Sequence, residues 1–146
     1  TDTTLADYDY VFRVNTLGTV NCCRAALPSM IRRKSGRIIN ISSMWGVSGA
    51  SCEVLYSASK AAVIGFTKAL AKEVGPSGIC VNCVTPGVID TEMNAGPSRE
   101  DLADLADQTP LCTIGDPDDV AKTVEFLAES RFITGQVIGV NGGLVI

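Results

Sequence analysis

Gly36-Arg37-Ile38-Ile39-Asn40-Ile41-Ser42-Ser43 is a short β-branched run that follows a turn and closes on two serines. A run this short and this continuously apolar suits a strand buried on both faces of a parallel sheet. Upstream, the turn Lys34-Ser35-Gly36 separates it from about 5–31, where Tyr10, Val11, Val14, Leu17, Val20, Ala25 and Leu27 recur at helical spacing. That spacing predicts one long helix, disturbed in its last turn by Pro28. Downstream, a loop with Gly46 and Gly49 leads to an Ala- and Lys-rich helical pattern over about 52–74, stopped by Gly75-Pro76. Ile79-Cys80-Val81-Asn82-Cys83-Val84 reads as a second buried strand, broken by Pro86-Gly87. Gly96, Pro97 and Pro110 punctuate the segment before Gly115. Asp116 then caps a helix with Pro117 at its first position, running to about Ala128, and 136–140 forms a last strand before Gly142-Gly143.

Helix, strand, helix, strand, helix, strand predicts an α/β fold with a parallel sheet, right-handed crossovers and helices on both faces. Three strands amount to one half of a doubly wound sheet. The 146 residues fit a single domain, 1–146, with 46% hydrophobic and 19% charged residues. No apolar run reaches the roughly 18 to 20 residues that span a bilayer, and no basic-then-apolar start argues for secretion. The expectation is a cytoplasmic protein without membrane contact. A net charge of −4 with no basic run excludes nucleic acid, which is held by clustered Lys and Arg.

Six cysteines without a secretion signal read as reduced thiols. Cys80 and Cys83 form the one C-x-x-C, but residues three apart on a strand point to opposite faces. With no histidine in the chain, no metal site is expected.

The chemistry gathers between Gly36 and Lys60. Tyr56-Ser57-Ala58-Ser59-Lys60 begins thirteen residues after Ser43, and Tyr and Lys at i and i+4 share one helix face. A phenol with a pKa near ~10 is a poor acid at neutral pH, and a neighbouring ammonium favours its ionised form. Tyr56 so placed suits general acid or base work on a carbonyl or alcohol. Ser43 suits hydrogen bonding to the substrate oxygen as charge develops there. Taken alone, a Tyr-x-x-x-Lys pair also fits a surface or packing role.

The phrase 36–43, the Tyr56–Lys60 motif, Ala62 to Phe66, Val81-Asn82 with Pro86-Gly87, and Ile133-Thr134-Gly135-Gln136 through Gly143 together resemble, in order and spacing, the short-chain dehydrogenase/reductase family. The resemblance covers nearly the whole chain and implies the C-terminal portion of a Rossmann-type sheet. It implies Tyr56 as proton donor, Ser43 as carbonyl-binding serine, and Lys60 as the group that lowers the tyrosine pKa and holds the nicotinamide ribose. Asn15, in Val14-Asn15-Thr16-Leu17-Gly18, matches the asparagine that kinks the preceding helix and anchors a relay water. Pro86, Gly87, Val88 and Ile89 match the segment facing the nicotinamide, with Thr91 adding a hydroxyl to the carboxamide or a phosphate. Residues 91–109 match a substrate lid. Trp45 is placed at the substrate pocket, a packing role being the alternative.

The family's Gly-rich phosphate turn and its Asn-Asn-Ala-Gly turn are not in this sequence, and the chain starts at Thr1. The expectation is therefore a chain without its N-terminal Gly-rich half, inactive in isolation, with an apolar edge at 37–41. Cys80 stands where relatives usually carry arginine, and Cys112-Thr113 where Gly-Arg is common. Within the family the resemblance is to bacterial 3-oxoacyl-acyl carrier protein reductases, which implies a β-keto thioester substrate, free or carrier-bound. Lys34 and Arg37 are placed for carrier docking. NADP(H) is taken ahead of NAD(H), although the residue reading the ribose 2′ position is not in the sequence. The 43–56 segment also resembles a reductase of the 5-aminopentanone modification of elongation factor P. A non-catalytic, oligomerising family member is the third reading. Relatives imply a homodimer or tetramer built through 5–31, 56–73 and the last strand.

Overall fold

A computed structural model describes residues 2–92 and 99–146. The first helix, α1 (Leu5–Phe12), starts at a reciprocal cap: Thr4 Oγ1 accepts the Asp7 N–H and the Asp7 carboxylate accepts the Thr4 N–H at 2.8 Å. The single long helix read from the spacing is in fact two. A π-helical turn, Arg13–Leu17, separates α1 from α2 (Gly18–Arg33). The Gly18 N–H reaches back five residues to the Arg13 carbonyl, and Thr19 Oγ1 donates to the Asn15 carbonyl at 2.8 Å. Widening here brings Asn15 and Thr16 together onto the neighbouring helix, which periodicity alone does not reveal. Pro28 lies within α2, which runs on to Arg33 and closes at Lys34 with φ 52°.

Strand β1 (Gly36–Ile41) follows, then a one-turn helix α3 (Trp45–Ser48) inside what reads as loop, and α4 (Val54–Val74) with the short 3₁₀ turn Gly75–Ser77. Strand β2 (Ile79–Pro86) runs two residues past its expected end. Helices α5 (Arg99–Asp107) and α6 (Pro117–Glu129) precede β3 (Val137–Val140). Residues 93–98 of the expected lid lie outside the described residues. Asp116 caps α6 reciprocally with Asp119, with Pro117 at the first turn as its sequence predicts.

The strands are parallel in the order β1-β2-β3, with Ile38 opposite Val81, Asn40 opposite Cys83 and Val84 opposite Ile138. Alternation sorts the two faces. Ile38 and Val81 pack with Cys23 of α2 and Leu70, Ala71 and Val74 of α4. Arg37 and Cys80, one residue earlier on each strand, turn the other way and reach the end of α6, donating to the Ser130 and Arg131 carbonyls. The crossovers β1-α4-β2 and β2-α6-β3 therefore step in one direction while lying on opposite faces. They must differ in hand, so one of them departs from the right-handed rule expected of both.

Cys80 and Cys83 do face opposite ways, and no cluster of His, Cys, Asp or Glu among the described residues is arranged to hold a metal. No described helix is long and apolar enough to cross a membrane. β1 has one strand neighbour among the described residues, and its last residue, Ile41, is 44% exposed.

The α4 face also carries a buried polar link. Asn40 Nδ2 donates to Thr67 Oγ1 at 2.8 Å, and Thr67 is fully buried. Thr67→Val keeps the shape and removes the acceptor, so the Asn40 amide is left unpaired in the interior. The expected loss is about 1–3 kcal/mol, read as a lower urea midpoint with unchanged slope.

Candidate active site

Ser43 and the segment after Pro86 both lie where parallel strands end at their carboxyl side, the usual mouth of a ligand crevice in open α/β sheets. Ser42 N–H donates to the Val84 carbonyl at 2.8 Å and Met44 N–H to the Pro86 carbonyl at 2.9 Å, so the pairing of β1 with β2 is carried past the strand into the serines. Ser43 Oγ accepts the Trp45 N–H at 3.2 Å. One of its two lone pairs is thus engaged by the start of α3, and its own proton is left for another acceptor.

Helix α4 presents Tyr56 and Lys60 to the same cleft, whose volume is about 380 Å³. Lys60 Nζ lies 5.6 Å from the Tyr56 ring centroid and donates to the Ile41 carbonyl at 3.2 Å. Burial pulls the Lys60 ammonium below its ordinary lysine range. Burial also pushes the Cys83 thiol up, which keeps it protonated behind the site. The turn of α4 that carries Tyr56 and Lys60 is tied to β1 by Ser42 Oγ, which donates to the Lys60 carbonyl at 2.8 Å. Gly46 permits this approach: a Cβ there would lie 2.8 Å from the Lys60 carbonyl carbon and 2.8 Å from Ser42 Oγ.

Pro86, Gly87, Ile89 and Thr91 form the facing wall with Ile41, and Pro117 and Val120 of α6 close one side. The Gly87 N–H is used by β3, at 2.8 Å from the Val140 carbonyl, and the Val88 carbonyl accepts the Gly115 N–H at 2.9 Å. Thr91 Oγ1 makes a long contact, 3.5 Å, to the Ile89 carbonyl.

Of the residues singled out by sequence, Ser43, Tyr56, Lys60, Pro86, Gly87, Ile89 and Thr91 meet in this cleft. Three do not line it. Val88 turns toward a smaller cavity of about 90 Å³ beneath Gly115 and Gly142. Trp45 is half-buried at the start of α3. Asn15 lies behind α4, where its Nδ2 donates to Ser59 Oγ at 3.0 Å. Ile41, Ser42, Pro117 and Val120 join the cleft without having been singled out as site residues; only Ser42 carried a signal, as the partner of Ser43 in the serine pair. A larger cavity of about 680 Å³ opens at the opposite end of the sheet beside Arg37, Cys80 and Phe132. Its lining groups include no tyrosine, lysine or carboxylate to move a proton.

A family profile described as enoyl-(acyl carrier protein) reductase matches residues 1–145. The chain belongs to the short-chain dehydrogenase/reductase family. It is 45% identical over 142 residues to the 3-oxoacyl-(acyl-carrier-protein) reductase of Aquifex aeolicus, covering 96% of this chain and 57% of that protein. Among solved members of the family, ElxO with NADP bound matches with a TM-score of 0.91 and 37% identity over 98% of this chain and 60% of its own. A 3-oxoacyl-(acyl-carrier protein) reductase with bound NAD from Brucella melitensis matches with a TM-score of 0.90 and 38% identity, over 99% of this chain and 54% of its own. The chain spans about half the length of the curated relatives it matches.

Proposed function

We propose that this cleft reduces a carbonyl group with a nicotinamide dinucleotide, Tyr56 delivering the proton. The single observation that carries the reading is the convergence of Ser43, Tyr56 and Lys60, from two separate elements, on one cleft at the carboxyl ends of β1 and β2. Ser43 donates its proton in a hydrogen bond to the carbonyl oxygen, which can only accept, while the Trp45 N–H holds the Ser43 oxygen in place. As the oxygen becomes basic, Tyr56 transfers its hydroxyl proton to it. The Lys60 ammonium beside the ring stabilises the phenolate that remains until solvent reprotonates it. The donor set fits the nicotinamide riboside end of such a cofactor: an ammonium at Lys60 and a hydroxyl at Thr91 for polar groups, with Ile41, Pro86 and Ile89 for the ring. When bound, that group supplies hydride to the carbonyl carbon.

NADP(H) is taken ahead of NAD(H), and the substrate as a 3-oxoacyl thioester, free or on acyl carrier protein. The names of the similar reductases from Aquifex and Brucella support the substrate, and ElxO with NADP bound supports the cofactor. Asn15, Val88 and residues 91–109 are assigned supporting roles around the cleft, and Trp45 a place at the substrate. Assembly as a homodimer or tetramer is supported by the apolar surface of the first helices, where Leu5 is 84%, Tyr10 71% and Val14 56% exposed.

The test is a substrate panel on the protein that contains this chain, with NADPH and NADH consumption followed by absorbance. The expected result is faster NADPH-dependent turnover of a 3-oxoacyl thioester than of simple ketones. Preference for ketones without a thioester would remove the substrate class, and no turnover of any carbonyl would remove the reading. Lys60→Met separates function from fold. Because burial already disfavours this ammonium, the variant is expected to melt near the wild-type temperature while losing at least about a hundredfold in turnover.

A further inference from the structure

Ser59 sits on the side of α4 opposite the cleft, fully buried, between two groups it does not resemble chemically. Its Oγ donates to the Tyr56 carbonyl at 2.8 Å and accepts the Asn15 Nδ2 at 3.0 Å. Its carbonyl accepts Thr16 Oγ1 at 3.1 Å. One residue thus receives two polar side chains of the π turn, Asn15 and Thr16, and the next residue's carbonyl receives Ser42 Oγ from the end of β1. The turn of α4 carrying Tyr56 and Lys60 is gripped from behind by the π turn and from the front by β1.

The two grips answer a mechanical need. An i, i+4 pair on a helix keeps its mutual spacing, but rotation of the helix about its axis would carry both side chains away from Ser43, which belongs to another element. The core packing of Val63, Leu70 and Val74 opposes such rotation along the helix, and directed hydrogen bonds on opposite sides of one turn oppose it at the turn that carries the pair. The π turn has a use in the same terms: regular helix would not turn Asn15 and Thr16 together onto one residue.

We infer that Ser59 is a positioning residue, which locks the rotation of the Tyr56–Lys60 turn relative to Ser43 by joining it to Asn15 and Thr16. The inference rests on the reading of the cleft given above. It assigns Asn15 an action through Ser59, with its amide spent on that bond.

The experiment measures kcat and KM for carbonyl reduction in wild type, Ser59→Ala, Asn15→Ala and the double variant, each with its urea midpoint. Ser59→Ala is expected to lower kcat about tenfold, short of the roughly hundredfold that a 1 Å misplacement of reacting groups brings, with KM changed less than about twofold. Because both residues act through one bond, the double variant is expected to match the slower single variant instead of multiplying the two losses. If Ser59→Ala does not fold, Thr16→Val carries the test, since it cuts the second bond to the same residue and must also lower kcat with KM kept. Wild-type kcat in Ser59→Ala, or multiplying losses in the double variant, would overturn the inference and leave the reading of the cleft standing. A wild-type protein that reduces no carbonyl sinks both.

Discussion

Tyr56→Phe lowers carbonyl reduction by the protein that carries this chain about 10²–10⁴-fold, the range expected when a positioned general acid is removed. The ring of phenylalanine fills the same space beside Lys60, whose Nζ keeps its bond to the Ile41 carbonyl. No described hydrogen bond within the fold depends on the Tyr56 hydroxyl, so the melting temperature is expected to stay within a few degrees. What disappears is the hydroxyl proton that the proposed mechanism passes to the substrate oxygen. Ser43 can polarise that oxygen, but among the described residues its Oγ shows no hydrogen bond to a base that would replace the proton it gave. Steady-state rates at saturating cofactor, with the urea midpoint as control, separate this outcome from misfolding. A Tyr56→Phe rate within threefold of wild type would remove Tyr56 as the proton donor.

Asn82→Ala is expected to produce the largest loss of stability, about 3 kcal/mol, for a reason distant from the chemistry. Asn82 is 1% exposed on the α6 face of β2. Its Nδ2 donates to the Ile133 carbonyl at 2.8 Å and its Oδ1 accepts the Gln136 N–H at 3.0 Å. Around it, the Gly135 N–H meets the Val81 carbonyl at 2.7 Å and the Val81 N–H meets Thr134 Oγ1 at 3.1 Å. These bonds seat the entry to β3 against β2 and so set the register of Val84 on Ile138. Alanine empties the buried Asn82 position and removes the partners of the Ile133 carbonyl and the Gln136 N–H together, two hydrogen bonds and the packing of one side chain lost at once. The effect passes to the cleft, because the Gly87 N–H rests on the Val140 carbonyl of β3 at 2.8 Å. A shift of roughly 10 °C in melting temperature follows from that loss for a chain of this size. A midpoint unchanged from wild type would show that the β2–β3 register is held by other contacts.

The two predictions mark what the sequence could and could not reveal. Strands β1 and β2 were legible because an apolar, β-branched run bounded by glycine and proline has few other homes, and Asp116-Pro117 announced α6 through its cap. Tyr56 and Lys60 were legible as a pair because four residues is one helical step, and Ser43 because it follows a strand end. The break of the first helix at Arg13–Leu17 was not, since its apolar spacing is nearly continuous and the residue its polar side chains bond, Ser59, lies more than forty positions away. Asn82 looked like one polar residue in a buried strand, as its partners are backbone atoms about fifty residues downstream. Pro117 and Val120 were hidden for the same reason: a helix capped as clearly as α6 says nothing about which wall it closes. Local chemistry is written locally, whereas a cleft between elements is fixed by topology, and here one crossover even departs from the usual hand.

The central claim is that Ser43, Tyr56 and Lys60 reduce a carbonyl with hydride taken from a nicotinamide cofactor. The most direct measurement supplies the protein that contains this chain with NADPH dideuterated at the nicotinamide C4 and a 3-oxoacyl thioester, and reads the product by mass spectrometry and proton NMR. The expected result is one deuterium on the former carbonyl carbon, and loss of the labelled product in Tyr56→Phe. Product carrying no deuterium at that carbon, or unchanged labelling rate in Tyr56→Phe, would contradict it.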